Sequence, residues 1–174
     1  TPVPADAGRR RTFAALKSGL VAADEDPIDR LENEALAHGW QGGATWLQPL
    51  SFADDPARTE SCERLRRQIV PPFQKLAAAL GGRQGRPGGA ELAGALRAFW
   101  SVLGVESQLA AWALTPATDA TGAAWPADRA GAVHLTVWEQ MNAWLENLER
   151  AFADEKLPLA EWLPILDAGL GSLT

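Results

Sequence analysis

Apolar residues in this chain recur at steps of three and four, in blocks separated by Gly- and Pro-rich stretches. That period places them on one face of an α-helix. Residues 10–20 set Phe13, Leu16 and Leu20 on one side. Pro27 to Gly39 sets Ile28, Leu31 and Ala35 on one stripe, with Asp26 expected as N-cap, Pro27 at the first helical position and Gly39 as a left-handed stop. Ala57 to Leu80 carries Cys62, Leu65, Ile69, Phe73, Leu76 and Leu80. Pro71 and Pro72 fall in its middle and predict a kink rather than a split, because the period continues across them. Glu91 to Leu103 and Glu106 to Leu114 read as two helices parted by Gly104. Arg129 to Ala153 has the strongest signal, with Trp138, Met141, Leu145, Leu148 and Phe152 flanked by Val137 and Trp144. Leu159 to Ala168 closes the chain with Trp162, Leu163, Ile165 and Leu166; Gly169 is its expected cap, and Pro164 sits awkwardly inside.

The intervening stretches are less regular. Gly39 to Pro56, with Trp40, Trp46, Leu47, Leu50 and Phe52, reads as an irregular loop held down by aromatic burial. GGRQGRPGG, from Gly81 to Gly89, reads as a flexible loop, and Thr115 to Asp128 as a long polar connection. No period-two run, hairpin signal or internal repeat competes with this pattern. The expected fold is all-α: an irregular bundle of about six or seven helices with long loops. Residues 1–174 fit one helical domain by size.

Composition agrees. Ala and Leu dominate the apolar 47%, Tyr is absent, and β-branched residues are sparse. Eight Trp against five Phe mark tryptophan as the expected packing anchor, each buried indole needing a partner for its N–H. A net charge of −6 opposes strong autonomous binding to nucleic acid, since such affinity comes largely from cations on phosphates. Cys62 is the only cysteine, which excludes an intrachain disulfide and a cysteine-based zinc site and leaves a small core residue. The absence of a membrane-length apolar run or signal-peptide pattern fits a cytoplasmic setting. Both ends read as boundaries or processing sites within something larger.

Candidate chemistry is thin. The Gly81 to Gly89 loop lacks the Lys and hydroxyl of a phosphate-binding loop, and no strand precedes it. Asp24, Glu25 and Asp26 read as a solvated acidic run, and Asp54 and Asp55 as a helix start before Pro56. Asp154-Glu155-Lys156 matches half of a nuclease motif but lies at a helix end, where a surface loop is expected. His38 and His134 have no ligand company. No catalytic, cofactor-binding or metal residue is assigned. Arg64, Arg66 and Arg67 read as a solvated helix face. Arg9, Arg10, Arg11, Lys17, Arg83 and Arg86 are the candidates for DNA-backbone contacts within a larger complex.

Four segments in order carry a resemblance. They are FAALKSGL (Phe13 to Leu20), IDRLENEALAHG (Ile28 to Gly39) with Trp46 after it, VWEQMNAWLENL (Val137 to Leu148), and LPILDAGLGSL at the far end. Together they resemble the AddB (RexB-type) subunit of bacterial AddAB helicase–nucleases. The second segment usually reads close to IDxLENYxLxxGI there; Glu34-Ala35 and Trp40 depart from it. Asp29, Leu31, Glu32, Asn33, Gly39 and Trp46 match the signature as structural positions. The resemblance implies a non-catalytic accessory region of the helicase-like part, comparable to the 2B subdomain of UvrD-like helicases, in an enzyme that resects double-strand breaks for recombinational repair. It further implies an AddA-type partner and duplex DNA. ATP, magnesium and an iron–sulfur cluster would be used by parts of the parent outside this chain. The alternative is a stand-alone helical interaction module.

Overall fold

The computed structural model describes residues 12–21, 23, 25–40, 43–52, 55–81, 85–114 and 127–172, with the backbone alone at 43–44 and 127–130. Every regular element among them is helical: α1 (residues 12–17), α2 (Glu25–Ala37), α3 (Gly43–Leu47), α4 (Pro56–Gly81), α5 (Gly89–Leu103), α6 (Val105–Leu114), α7 (Ala127–Ala151) and α8 (Leu159–Gly171). The all-α expectation holds. The chain groups into two compact units, divided in sequence between Gln74 and Lys75.

In the first unit the expected stripes are the buried ones. Phe13 and Leu16 of α1, Ile28, Leu31 and Ala35 of α2, and Cys62, Leu65 and Ile69 of α4 are all buried. α1 is shorter than expected. The Ser18 hydroxyl donates to the Ala15 carbonyl at 2.6 Å and Gly19 takes φ 77°, so Leu20 lies beyond the helix. α2 starts at Glu25, two residues before Pro27, which puts Asp26 inside the first turn rather than at the N-cap. Pro27 is tolerated there because first-turn amides have no intrahelical acceptor. Its other end is as expected. Gly39 takes φ 59°, its N–H reaches the Leu36 carbonyl, and the Trp40 N–H reaches Ala35 at 2.9 Å, a Schellman closure.

The stretch expected as a loop after Gly39 contains the short helix α3, and its aromatic rings are half-buried rather than buried. Asp55 caps α4: its Oδ1 accepts the Arg58 N–H at 2.9 Å, with Pro56 in the first helical position. α4 then runs unbroken past Pro71 and Pro72. Ile69, Val70 and Pro72 are buried there, and that packing offsets the two missing backbone donors.

The second unit has a core of Leu92, Ala93, Leu145, Leu148 and Trp162, with Leu96, Trp100, Trp144 and Phe152 packed against it. α5, α6 and α7 pack on one another, and Gly104 (φ 72°) turns α5 directly into α6. The sequence expectation for tryptophan needs correcting: Trp162 is buried, whereas Trp40, Trp46, Trp100, Trp112, Trp138 and Trp144 are half-buried. Leucine, with no polar atom to satisfy, fills more of the core, whereas a buried indole needs a partner for its N–H. Trp162 meets that need by donating to the Pro87 carbonyl at 3.0 Å.

The glycine-rich stretch is also not the flexible loop expected, at least from Gly85 to Gly89. Leu159 N–H donates to the Gly85 carbonyl and Gly89 N–H to Phe152, both at 3.3 Å, while Gly88 bridges Lys156. The glycines are there for close approach. A Cβ at Gly89 would lie 2.8 Å from the Leu148 carbonyl and 2.9 Å from that of Phe152. Gly169 likewise lies inside α8 rather than capping it. A Cβ there would overlap the Trp144 indole, and α8 continues to Gly171.

Candidate functional site

The charged groups of the first unit converge in three places, and two of the resemblance segments meet at one of them. Asp29 and Glu32 are three residues apart on α2 and therefore share an edge. Lys17, at the end of α1, reaches both, with its ammonium 2.8 Å from Asp29 and also paired to Glu32. Hydrogen bonds to Asp29 and then Glu32 hold the ammonium pKa well above the ordinary lysine range. FAALKSGL and IDRLENEALAHG are thus joined by a three-residue ion cluster.

The second place is centred on Glu34, which is 5% exposed although it follows a polar run. It accepts from the Arg58 guanidinium of α4, and its other oxygen lies 3.4 Å from His38 Nε2. Arg58 sits over the Phe52 ring at 4.8 Å. The His38 ring stacks on Trp40 and Phe52, and Trp40 meets Trp46 edge-on at 5.4 Å. Trp46 in turn contacts Phe13 at 5.9 Å.

The third place is Glu63, 8% exposed on α4. Arg66 clasps it with two bonds of 2.7 Å, Arg67 adds a third at 2.9 Å, and the Leu50 N–H donates a fourth at 3.0 Å. Arg66 also donates to the Trp46 carbonyl at 2.8 Å, so this cluster pins the aromatic stretch before α4. The Arg66 bonds, chiefly, hold the Glu63 carboxyl down to about 2; burial opposes them, and Leu50 and Arg67 add to them. The expectation of a solvated basic face therefore holds for exposed Arg64 and Arg67 but not for Arg66, whose side chain is largely enclosed.

These clusters have the form of braces. Each carboxylate faces cations from its own or a neighbouring helix, so none stands in a cleft as a general base. A shallow depression near Glu63, lined by Phe52, Thr59, Glu60, Arg64 and Arg67, is bordered by the same paired charges. Among the described residues no three His, Cys, Asp or Glu side chains converge to hold a metal. An iron–sulfur cluster takes four cysteines, and this chain has Cys62 alone, buried, with burial raising its thiol pKa. The residues present therefore do not fit such a group.

The other sequence candidates are dispersed. Leu31 is fully buried and Asn33 is exposed. Arg86 is exposed in the second unit and donates to the Lys156 carbonyl at 3.1 Å. Arg9, Arg10, Arg11 and Arg83 lie outside the described residues. Asp154, Glu155 and Lys156 are exposed, as a surface loop requires. His134 contacts Trp112, in the second unit, while His38 belongs to the first. Sequence reasoning missed Glu34, Arg58 and Glu63. The Glu63–Arg66–Arg67 spacing was a readable signal for the last; nothing local announces a bond between Glu34 and Arg58. No helix among the described residues is long and apolar enough to cross a membrane.

Comparison with known proteins bears out the resemblance. The chain is 36% identical over 172 residues to the B subunit of the ATP-dependent helicase/deoxyribonuclease of Moorella thermoacetica, covering 92% of this chain. It is 28% identical to the protein of the same name from Pelotomaculum thermopropionicum and 24% identical to that from Clostridium novyi, over 92% and 90% of the chain. The chain spans only 13–14% of the length of these relatives. No protein-family profile matches it, and no solved structure does.

Proposed function

We propose, from the premise that this chain belongs to the AddB-type subunit family, that it is a non-catalytic helical accessory region of such a subunit. Its work is structural: it packs against the helicase-like part and helps shape the DNA path during double-strand break resection. The observation that carries this reading is the Lys17–Asp29–Glu32 cluster. It joins two signature segments to each other and uses their charges in holding helices together. Glu34 and Glu63 use theirs in the same way.

In this reading residues 1–174 are a single helical accessory domain of a longer cytoplasmic protein, and an AddA-type subunit, duplex DNA, ATP, magnesium and an iron–sulfur cluster engage other parts of the assembly. Contacts to the DNA backbone are proposed for Arg9, Arg10, Arg11, Lys17, Arg83 and Arg86. Of the two described, Arg86 suits the role better, because Lys17 is already occupied by two carboxylates. Incubating the purified chain with labelled duplex, ATP and magnesium tests the main claim. The expected result is intact DNA and no ATP hydrolysis; degradation by the chain alone would overturn it.

A further inference from the structure

We infer that the Leu159–Leu163–Leu170 edge of α8 is the face this chain packs against the remainder of an AddB-type polypeptide. The inference rests on the accessory-region reading and adds to it the identity of the docking face. With 3.6 residues per turn, Leu163 and Leu170 fall within about 40° of Leu159 around the helix. The side chains are 38%, 52% and 43% exposed at Leu159, Leu163 and Leu170. The neighbouring face of the same helix is already committed: Trp162 is in the core, Ile165 and Leu166 pack against it, and Gly169 abuts Trp144.

Together the two faces make an apolar arc of roughly 160°, about one and a half times the stripe that a helix at a protein surface needs. Glu161 and Asp167 are the only charged residues in the thirteen of α8. A helix apolar around so much of its circumference is built to be covered on both sides, and the core of the second unit covers one.

The occupant follows from size. Three half-exposed leucines supply far less area than the roughly 800 Å² per partner of a stable complex between separate molecules. A covalently attached partner does not have to offset the loss of translational freedom, so a patch this small suffices. The chain spans 14% of the length of its 36%-identical relative, so an AddB-type polypeptide supplies such a neighbour. Its contacting surface is apolar and lacks charge opposite the leucines.

Thiol labelling of Leu163→Cys tests this, in the chain alone and in the full AddB-type protein. Buried Cys62 provides an internal control, since it stays unlabelled wherever the fold is intact. Cys at 163 should react readily in the chain alone and at least about tenfold more slowly in the full protein, where an interface core excludes solvent. Equal rates in both would overturn the inference. Labelling that slows in the chain alone as its concentration rises would assign the face to a second copy, which also overturns it. The accessory reading fails separately, if the chain alone degrades DNA.

Discussion

The two units are held together by different means. The first, up to Gln74, ties its helices with ion pairs, two of them centred on buried carboxylates: Arg58 with Glu34, and Arg66 and Arg67 with Glu63, beside the exposed Lys17 with Asp29 and Glu32. The second, from Lys75, relies on one buried tryptophan, a leucine core and glycines that let backbones touch, with Arg97–Glu149 as a partly exposed pair. An ion brace tolerates small displacements but depends on charge state. A glycine contact is indifferent to charge and intolerant of a single added methyl. The units should therefore fail under different perturbations.

The largest effect expected is from Trp162→Ala, which empties a core site and orphans the Pro87 carbonyl. It should cost about 3–5 kcal/mol, read as lost amide-exchange protection in α5 and α7 with α2 little changed. Equal loss in both units would break the contrast. Next comes Glu63→Ala, which leaves Arg66 enclosed without its carboxylate. Its expected cost is about 2–3 kcal/mol, confined to α2 and α4.

Acid should act on the same unit. Glu63 has a folded pKa lowered from 4.5 to about 2, so its contribution is fully present above pH 4.5 and disappears as pH falls toward 2. Exchange protection in α4 should decline across that window before the Trp162 core loosens, and the Glu63→Ala variant should lack this step.

The glycines sharpen the contrast with a change of sign. Gly89→Ala drives a Cβ into the Leu148 and Phe152 carbonyls and should cost about 1–3 kcal/mol by thermal melting. Gly94→Ala, in the same helix with open space around its Cβ position, should instead add about 0.5–1 kcal/mol. The smallest effect is expected for Lys17→Met. Its exposed ammonium is screened by solvent, so the melting temperature should move little, and less still at high salt.

The helices were legible because their period is local. Ile28, Leu31 and Ala35, or Leu145 and Leu148, are buried in the turns where three-and-four spacing places them. Asp55 before Pro56 and Gly39 after α2 were legible for the same reason, as caps settled within one turn. The AddB-type resemblance was legible in the wording of four segments, while the work of Asp29 and Glu32 in gripping Lys17 was not.

Local periodicity and wording were thus enough for the all-α class, the buried stripes and the family resemblance. Which polar residues go inside, and which glycines serve as contacts, follows from the packing of segments far apart in the chain. Glu34 is buried because Arg58, 24 residues later, arrives to neutralise it. Gly85 to Gly89 is ordered because the stretch around Lys156 supplies backbone partners. Burial of a charge and close approach of two backbones both depend on a second segment distant in sequence, and local periodicity carries no information about where that segment will be.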